Sequence, residues 1–397
     1  MEKETRPREA PAYLPLIVTV FSLGIGLFAA SVAFDVLEGS VSPSFAILYV
    51  MACFFAAFVV QTVLHELGHL VFGLLSGYRF VSFRIWNFLF LKEHGRLVVR
   101  MFTIAGTGGQ CLMQPPPSLD GDVPYRLCML GGCLFNLVSS TLFLAPAVLL
   151  SSPQARALFL TFVAAGIVTA LINLVPMNIR GILTDGLNTA LIGKSAAVRK
   201  AFWLQLYASG WVASGRRIGE LPAEWFPLPE GDALDNPLCC TVGVLRYDRQ
   251  FDRHDFSGAR ETCEYMLQNG HGMLGAHRDE LRCELLFLKI LSGCSKEEAD
   301  AMLTPELQKY IRLTGSYVSR KRLFYAYELL IDRNPAAAEA ALLAFEDTAK
   351  RYPYASDVAN EREIAVILRE AAAETARGAS PPEEPFGKRA GPPDGQR

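Results

Sequence analysis

The stretch FAAFVVQTVLHELGHLVFGLLSGY, residues 55–78, constrains this chain more than any other. It is an apolar helix pattern that carries His65, Glu66 and His69 in its second half. Two histidines at i and i+4 project from one helix face, so both imidazoles can close on a single metal ion. Glu66 lies beside them, where a carboxylate can take a proton from water. In a soluble protein this pattern belongs to a zincin-type metalloprotease helix. The flanks decide otherwise here: no charged residue occurs between Glu38 and His65, and the run stays apolar after His69 as far as Ser76. That length suffices to span a bilayer, so the motif is expected inside the membrane.

A lone histidine on an apolar helix is usually a packed core residue, and short motifs arise by accident. With six histidines in 397 residues, a chance HExxH is on the order of one percent or less. Ionisable groups within a spanning helix are also costly and mark functional sites. Together these favour a metal site.

The formal net charge of −2 is too small to suggest nucleic acid or an acidic polymer as a partner. Hydrophobic residues make up 51% of the chain, and nearly all uninterrupted apolar runs fall before Ile192, whereas most charges follow Lys194. The fold class expected is an α-helical integral membrane protein of about four transmembrane helices with a small membrane-associated β element. A soluble all-α domain, with helices paired as in tetratricopeptide repeats, should follow. The nine cysteines show no CxxC spacing and suggest no disulfide framework.

Residues 1–12 read as a short charged cytoplasmic segment, 13–192 as the membrane domain, 193–377 as the helical domain, and 378–397 as a disordered tail rich in Pro, Gly and charge. Spans are expected at 13–34, 44–76, 127–150 and 157–176. Between the second and third, residues 79–104 alternate as strand–turn–strand around Lys92-Glu93-His94-Gly95, and GTGGQ and QPPP then read as punctuation. That loop is basic, as are Arg180 and the Lys194–Lys200 stretch, so these should lie on the cytoplasmic face with both termini. Helices are expected near 195–214, 256–268, 278–291, 296–312, 318–332, 336–351 and 358–376, with a linker from Trp225 to Pro237.

Two histidines leave a tetrahedral Zn²⁺ short of a protein ligand. Between Asp122 and Glu220 the only carboxylate is Asp185. It follows the fourth span on the face where the motif helix ends, although Asp-Gly is also a common turn. His94, Asp120, Asp122 and the nearby cysteines are weaker rivals.

At this point the chain resembles the site-2 proteases, a family of intramembrane zinc metalloproteases. HELGH at 65–69 is similar to the family's first motif, and NLVP at 173–176 with DG at 185–186 to its second. GGCLFN at 131–136 resembles its Gly-rich helix ending in Asn, with Cys133 where proline is more usual. The likeness covers about residues 44–190. It implies His65, His69 and Asp185 as zinc ligands, Glu66 as catalytic acid/base, and Asn173 and Asn136 as residues that position the substrate backbone. It also implies that the 79–104 sheet presents an extended substrate. Three departures stand out: a longer gap from Pro176 to Asp185, no PDZ-like insertion, and the added C-terminal helices.

The expected activity is therefore zinc-dependent peptide-bond hydrolysis of a membrane protein substrate within the lipid bilayer of a bacterial cell membrane. A catalytically inactive scaffold that binds a protein partner through its C-terminal helices is one alternative, and processing of a short peptide precursor is another. A transporter is disfavoured, because four spans show no inverted repeat.

Overall fold

The computed structural model describes residues 13–93, 96–102, 108–118, 120–179 and 181–376. The expected N-terminal segment 1–12, His94, Arg180 and the tail 378–397 lie outside the described residues. The chain is mostly helical. Four helices are long and apolar enough to cross a membrane: α1 (Leu14–Leu37), α2 (Pro43–Leu75), α3 (Arg126–Leu149) and α4 (Pro153–Leu174). Proline at the first turn sets the start of α2 and α4, where its missing N–H is harmless; Ser152 also caps α4 by accepting from the Ala155 N–H. The helices begin within four residues of the expected spans.

With 33 residues, α2 is about 50 Å long, well beyond a hydrocarbon core of about 30 Å. His65 and His69 lie about 15 and 9 Å along the axis from its C-terminal end. Glycine sets how closely α2 meets α3: a Cβ on Gly68 would lie 2.3 Å from the Gly131 carbonyl oxygen, and one on Gly131 2.7 Å from that of Gly68. The two backbones touch there, as small residues permit between apolar helices.

The segment expected as strand–turn–strand contains three strands, β1 (Arg79–Ile85), β2 (Phe88–Glu93) and β3 (Arg96–Met101), and a fourth, β4 (Gly109–Gln114), follows it. Their order in the sheet is β3-β2-β1-β4. The run VSFRIWNFLFL breaks at Trp86-Asn87, where Trp86 takes a positive φ of 50°. Strand β4 covers residues read from sequence as punctuation; it pairs antiparallel with β1, Phe83 opposite Cys111 and Ile85 opposite Gly109.

After α4 the chain makes a two-strand hairpin, β5 (Asn178–Ile179) with β6 (Ile182–Leu183), turning at Gly181 with φ +89°. A short helix α5 (Asp185–Ile192) follows. This hairpin takes up the extra length between Pro176 and Asp185.

Two compact units divide the chain: residues 1–89, 106–118 and 122–195 in one, and 90–105, 119–121 and 196–397 in the other. From Ala196 on, every described element is helical: α6 (Ala196–Ala213), α7 (Pro237–Asp252), α8 (Phe256–Asn269), α9 (Gly275–Leu291), α10 (Lys296–Met302), α11 (Pro305–Leu313), α12 (Val318–Ala326), α13 (Pro335–Ala349) and α14 (Ala355–Ala376), with one π turn and three 3-10 turns between. α7 packs on α8, and α12 on α13.

The expected linker at 225–237 is instead a packed strap. Phe226 is buried and its carbonyl accepts from Arg246, Trp225 meets Trp203 and Tyr207 edge-on, and Tyr265 donates to the Pro229 carbonyl. The expected helix 296–312 breaks at Thr304-Pro305, where Thr304 caps α11. In the same unit Phe102 is buried against Tyr317, Tyr352 and Tyr354, with ring centroids 5.5–6.1 Å away. The unit's core also encloses Arg320 and Arg322 with Glu284, whose carboxylate accepts from Arg322 and from the Tyr247 hydroxyl.

Candidate metal centre

His65, Glu66 and His69 are all buried on α2. The i and i+4 spacing brings the two imidazoles to one face, with Nε2 atoms 3.3 Å apart. Asp185 arrives at the first turn of α5. Thr184 fixes that turn: its hydroxyl donates to the Val175 carbonyl and accepts from the N–H groups of Met177 and Leu187. Gly186 is required beside it, because a Cβ there would lie 1.9 Å from the Leu174 carbonyl oxygen. The Asp-Gly pair is thus one carboxylate and one close backbone approach. Asp185 Oδ2 lies 3.1 Å from His65 Nε2 and 3.3 Å from His69 Nε2.

Among the described residues, His65, His69 and Asp185 are the group able to hold a metal ion. Asp120 and Asp122 are exposed and outside it. Cys133 is next to it, with Sγ 3.8 Å from Asp185 Oδ2.

Two observations fit the three side chains to a cation. The first is how the rings are held. His65 Nδ1 is 2.8 Å from Asn136 Oδ1, and His69 Nδ1 is 2.9 Å from the Cys128 carbonyl oxygen. Both partners are acceptors, so each Nδ1 can donate while Nε2 faces the centre. Two ring nitrogens and a carboxylate oxygen thus converge there, a donor set that a cation can bridge. The second is size. Tetrahedral bonds of about 2.0–2.1 Å place ligand atoms about 3.3–3.4 Å apart; the three separations here are 3.1, 3.3 and 3.3 Å. Two nitrogens and one carboxylate oxygen also leave a fourth tetrahedral position for another ligand.

Glu66 sits beside the group, in electrostatic range of all three residues, and its carboxylate accepts from the Cys111 N–H of β4. A Cβ on Gly109 would lie 2.5 Å from Glu66 Oε1, so glycine lets the strand run past the carboxylate. Strand β4 is the end strand of the sheet order.

The two asparagines are placed differently. Asn136 is fully buried and its side chain is engaged with His65 and Gln61. Asn173 donates to the Thr169 carbonyl of its own helix, 3.0 Å away. Sequence reasoning missed β4 and Gln61, and gave Gly132 no role of its own within GGCLFN. Gly132 matters because a Cβ there would meet the His65 ring at 2.5 Å. Gln61 had a signal: an amide one turn before His65, in a run otherwise almost wholly apolar.

No family model, no curated protein and no solved structure matches this chain.

Proposed function

We propose that this chain is an intramembrane zinc metalloprotease of the site-2 protease type, which hydrolyses peptide bonds of a membrane-spanning or membrane-associated protein. The observation that carries the reading is the convergence of His65, His69 and Asp185 at tetrahedral spacing, with Glu66 alongside, on a helix apolar enough to lie in a bilayer. An N₂O donor set with an open position suits Zn²⁺ in hydrolytic sites.

In this reading α1–α4 cross a bacterial cell membrane, both termini are cytoplasmic, and the helices from Ala196 onward form a soluble domain that can bind a protein partner. His65, His69 and Asp185 hold the ion, and Asn136 and the Cys128 carbonyl hold the two rings. Zn²⁺, when bound, supplies a Lewis acid that polarises the scissile carbonyl and activates water at neutral pH. Glu66 takes a proton from the attacking water and delivers it to the leaving amine. The Cys111 N–H holds the Glu66 carboxylate in place for both transfers.

A helical substrate has its amides bonded internally and must unwind before attack. Pairing with the edge of β4 would replace those bonds next to Glu66.

Glu66→Gln tests the reading. The variant should keep its metal, while membrane fragments present in cells carrying the native chain disappear from quantitative proteomics of cells carrying the variant. Identical fragment profiles would leave the scaffold function instead.

A further inference from the structure

Helices α1, α2 and α4 meet tightly at one end and part at the other. Ala33 and Leu37 of α1 pack with Ala46 and Val50 of α2 and Ala157 of α4 in one buried cluster. Towards the start of α1 the three helices separate, and a groove of about 580 Å³ opens between them. Met177 and Ile179, just past α4, also line it.

One face of α1 forms a wall of this groove. Pro15, Val18, Ser22, Gly26 and Ala30 recur at intervals of three and four residues, so they share that face. At 1.5 Å per residue the wall runs about 22 Å. Phe54 and Phe58 of α2 and Ala165, Val168 and Ile172 of α4 line the other sides. Among the described lining residues the polar side chains are Thr19 and Ser22, and the Thr19 hydroxyl already donates to the Pro15 carbonyl at 2.8 Å. A Cβ on Gly26 would meet nothing within 4 Å, so the groove is open at its middle.

Size and chemistry select the occupant. An α-helix about 10–12 Å across and about 22 Å long needs about 1,800 Å³ or more, far above the volume here. Spread over its length, the groove averages about 26 Å² in cross-section, a width of about 6 Å, which a single hydrocarbon chain fills. Water is excluded, because so apolar a lining offers it too few partners. An empty groove would leave its walls without contact atoms. Within a bilayer, the apolar material available as single chains is lipid.

We propose that the groove is a lipid site, holding one acyl chain of a membrane phospholipid between α1, α2 and α4. The acyl chain completes the packing of α1, which otherwise faces Phe54 and Phe58 across a gap. This rests on α1–α4 lying in a bilayer and is independent of the metal centre. Walled by three helices, a lipid held there is distinct from the lipid that bathes the outer faces.

The test uses the full-length protein in nanodiscs of phosphatidylcholine carrying a diazirine midway along one acyl chain. Irradiation and peptide mass spectrometry then read which residues the acyl chain touches. In the native protein, adducts should concentrate on Gly26, Phe58, Ala165 and Val168 and exceed those on Val138 and Leu142 of α3, although these are 53% and 68% exposed. Gly26→Trp puts an indole into the open middle of the groove. It should abolish the groove adducts and keep those on α3. Gly24→Trp, at another glycine with nothing within 4 Å of its Cβ but outside the lining, should change neither. After transfer to detergent, native mass spectrometry should find phospholipid on the native protein and on Gly24→Trp, and none on Gly26→Trp.

Adducts spread evenly over the groove and the outer face of α3 in the native protein would overturn the proposal, whether or not the Trp variants fold. So would unchanged lipid retention in Gly26→Trp. A dimer mass that falls to monomer in that variant would also overturn it, by making a second copy the occupant. A native protein without lipid adducts on any of the four long helices would refute the bilayer premise, and the site with it.

Discussion

Gly132→Ala puts one methyl group into the candidate metal centre. On the backbone of α3 the new Cβ would lie 2.5 Å from His65 Cε1 and 2.7 Å from both Nδ1 and Nε2, against ordinary contact from 3.4 Å. The ring must therefore retreat by about 0.9 Å (3.4 − 2.5), whereas metal–ligand distances tolerate about 0.2 Å. Nor can it retreat freely, because Asn136 holds its other nitrogen at 2.8 Å. Moving α3 away instead would open the contact between Gly131 and Gly68. Either response removes His65 as an effective ligand.

Losing an outer partner costs about 10–100-fold in metal affinity, and losing a ligand should exceed that. We expect at least about 100-fold, or about 2.8 kcal/mol. Competition for Zn²⁺ against a chromophoric chelator in detergent measures it. Gly24→Ala and Gly26→Ala on α1, where a Cβ meets nothing within 4 Å, are the controls and should leave affinity unchanged. A Gly132→Ala protein within about threefold of native affinity would refute the reasoning.

Two further perturbations address the C-terminal helices. Burial, with the charge of Asp252, pushes the Asp357 carboxyl up to about 7. Burial also pushes Glu361 up to about 7 against the pull of Arg322. Unfolded carboxyls titrate near about 4, so between roughly pH 4 and 7 the unfolded chain releases protons that the folded one keeps. Stability in that window should fall as pH rises, by up to about 1.4 kcal/mol per pH unit for each group, and level off above 7. Hydrogen exchange of α14 should accordingly be slower at pH 5.5 than at pH 7.5 after correction for intrinsic rates. Asp357→Asn should reduce that slope; an unchanged slope would show that Asp357 is not its source. Phe102→Ala removes a ring buried among three tyrosines and should cost about 3–5 kcal/mol locally. Residues 96–101 should then exchange faster, and unchanged protection there would show that the ring does not anchor them.

The four long helices were legible because each carries an apolar run too long for anything else, with prolines marking three of the starts. The histidine pair was legible from its i and i+4 spacing, and Asp185 from the scarcity of carboxylates around it. What failed to show depends on tertiary contact. GQCLMQ has no clean alternation and lies between glycines and prolines; it is a strand because β1 pairs with it and α2 supports it, with Met113 packed at the position of Gly73. LCCTVGVLRYDRQFD was hidden behind a presumed linker, whose Phe226 and Pro229 are in fact fixed by side chains from α7 and α8. The break at Thr304-Pro305 was readable, since a threonine before a proline is a helix start, but helical spacing on both sides masked it. The partners of Asn136 could not be read, because nothing local says that an amide on one helix will meet another 75 residues away.

The delivery of Asp185 by α5 has a consequence for biogenesis. In sequence the carboxylate follows the first imidazole by 120 residues (185 − 65), and two further long helices and the small hairpin separate them. A ribosome makes the chain from its N-terminus, so both rings are already made while their third companion is still unsynthesised. Until translation passes Gly186 and Thr184 has stitched that turn to Val175, only two of the three side chains able to hold an ion exist together. In the proposed function, cutting therefore waits for the hairpin and the turn beyond the fourth long helix, which act as its safety catch.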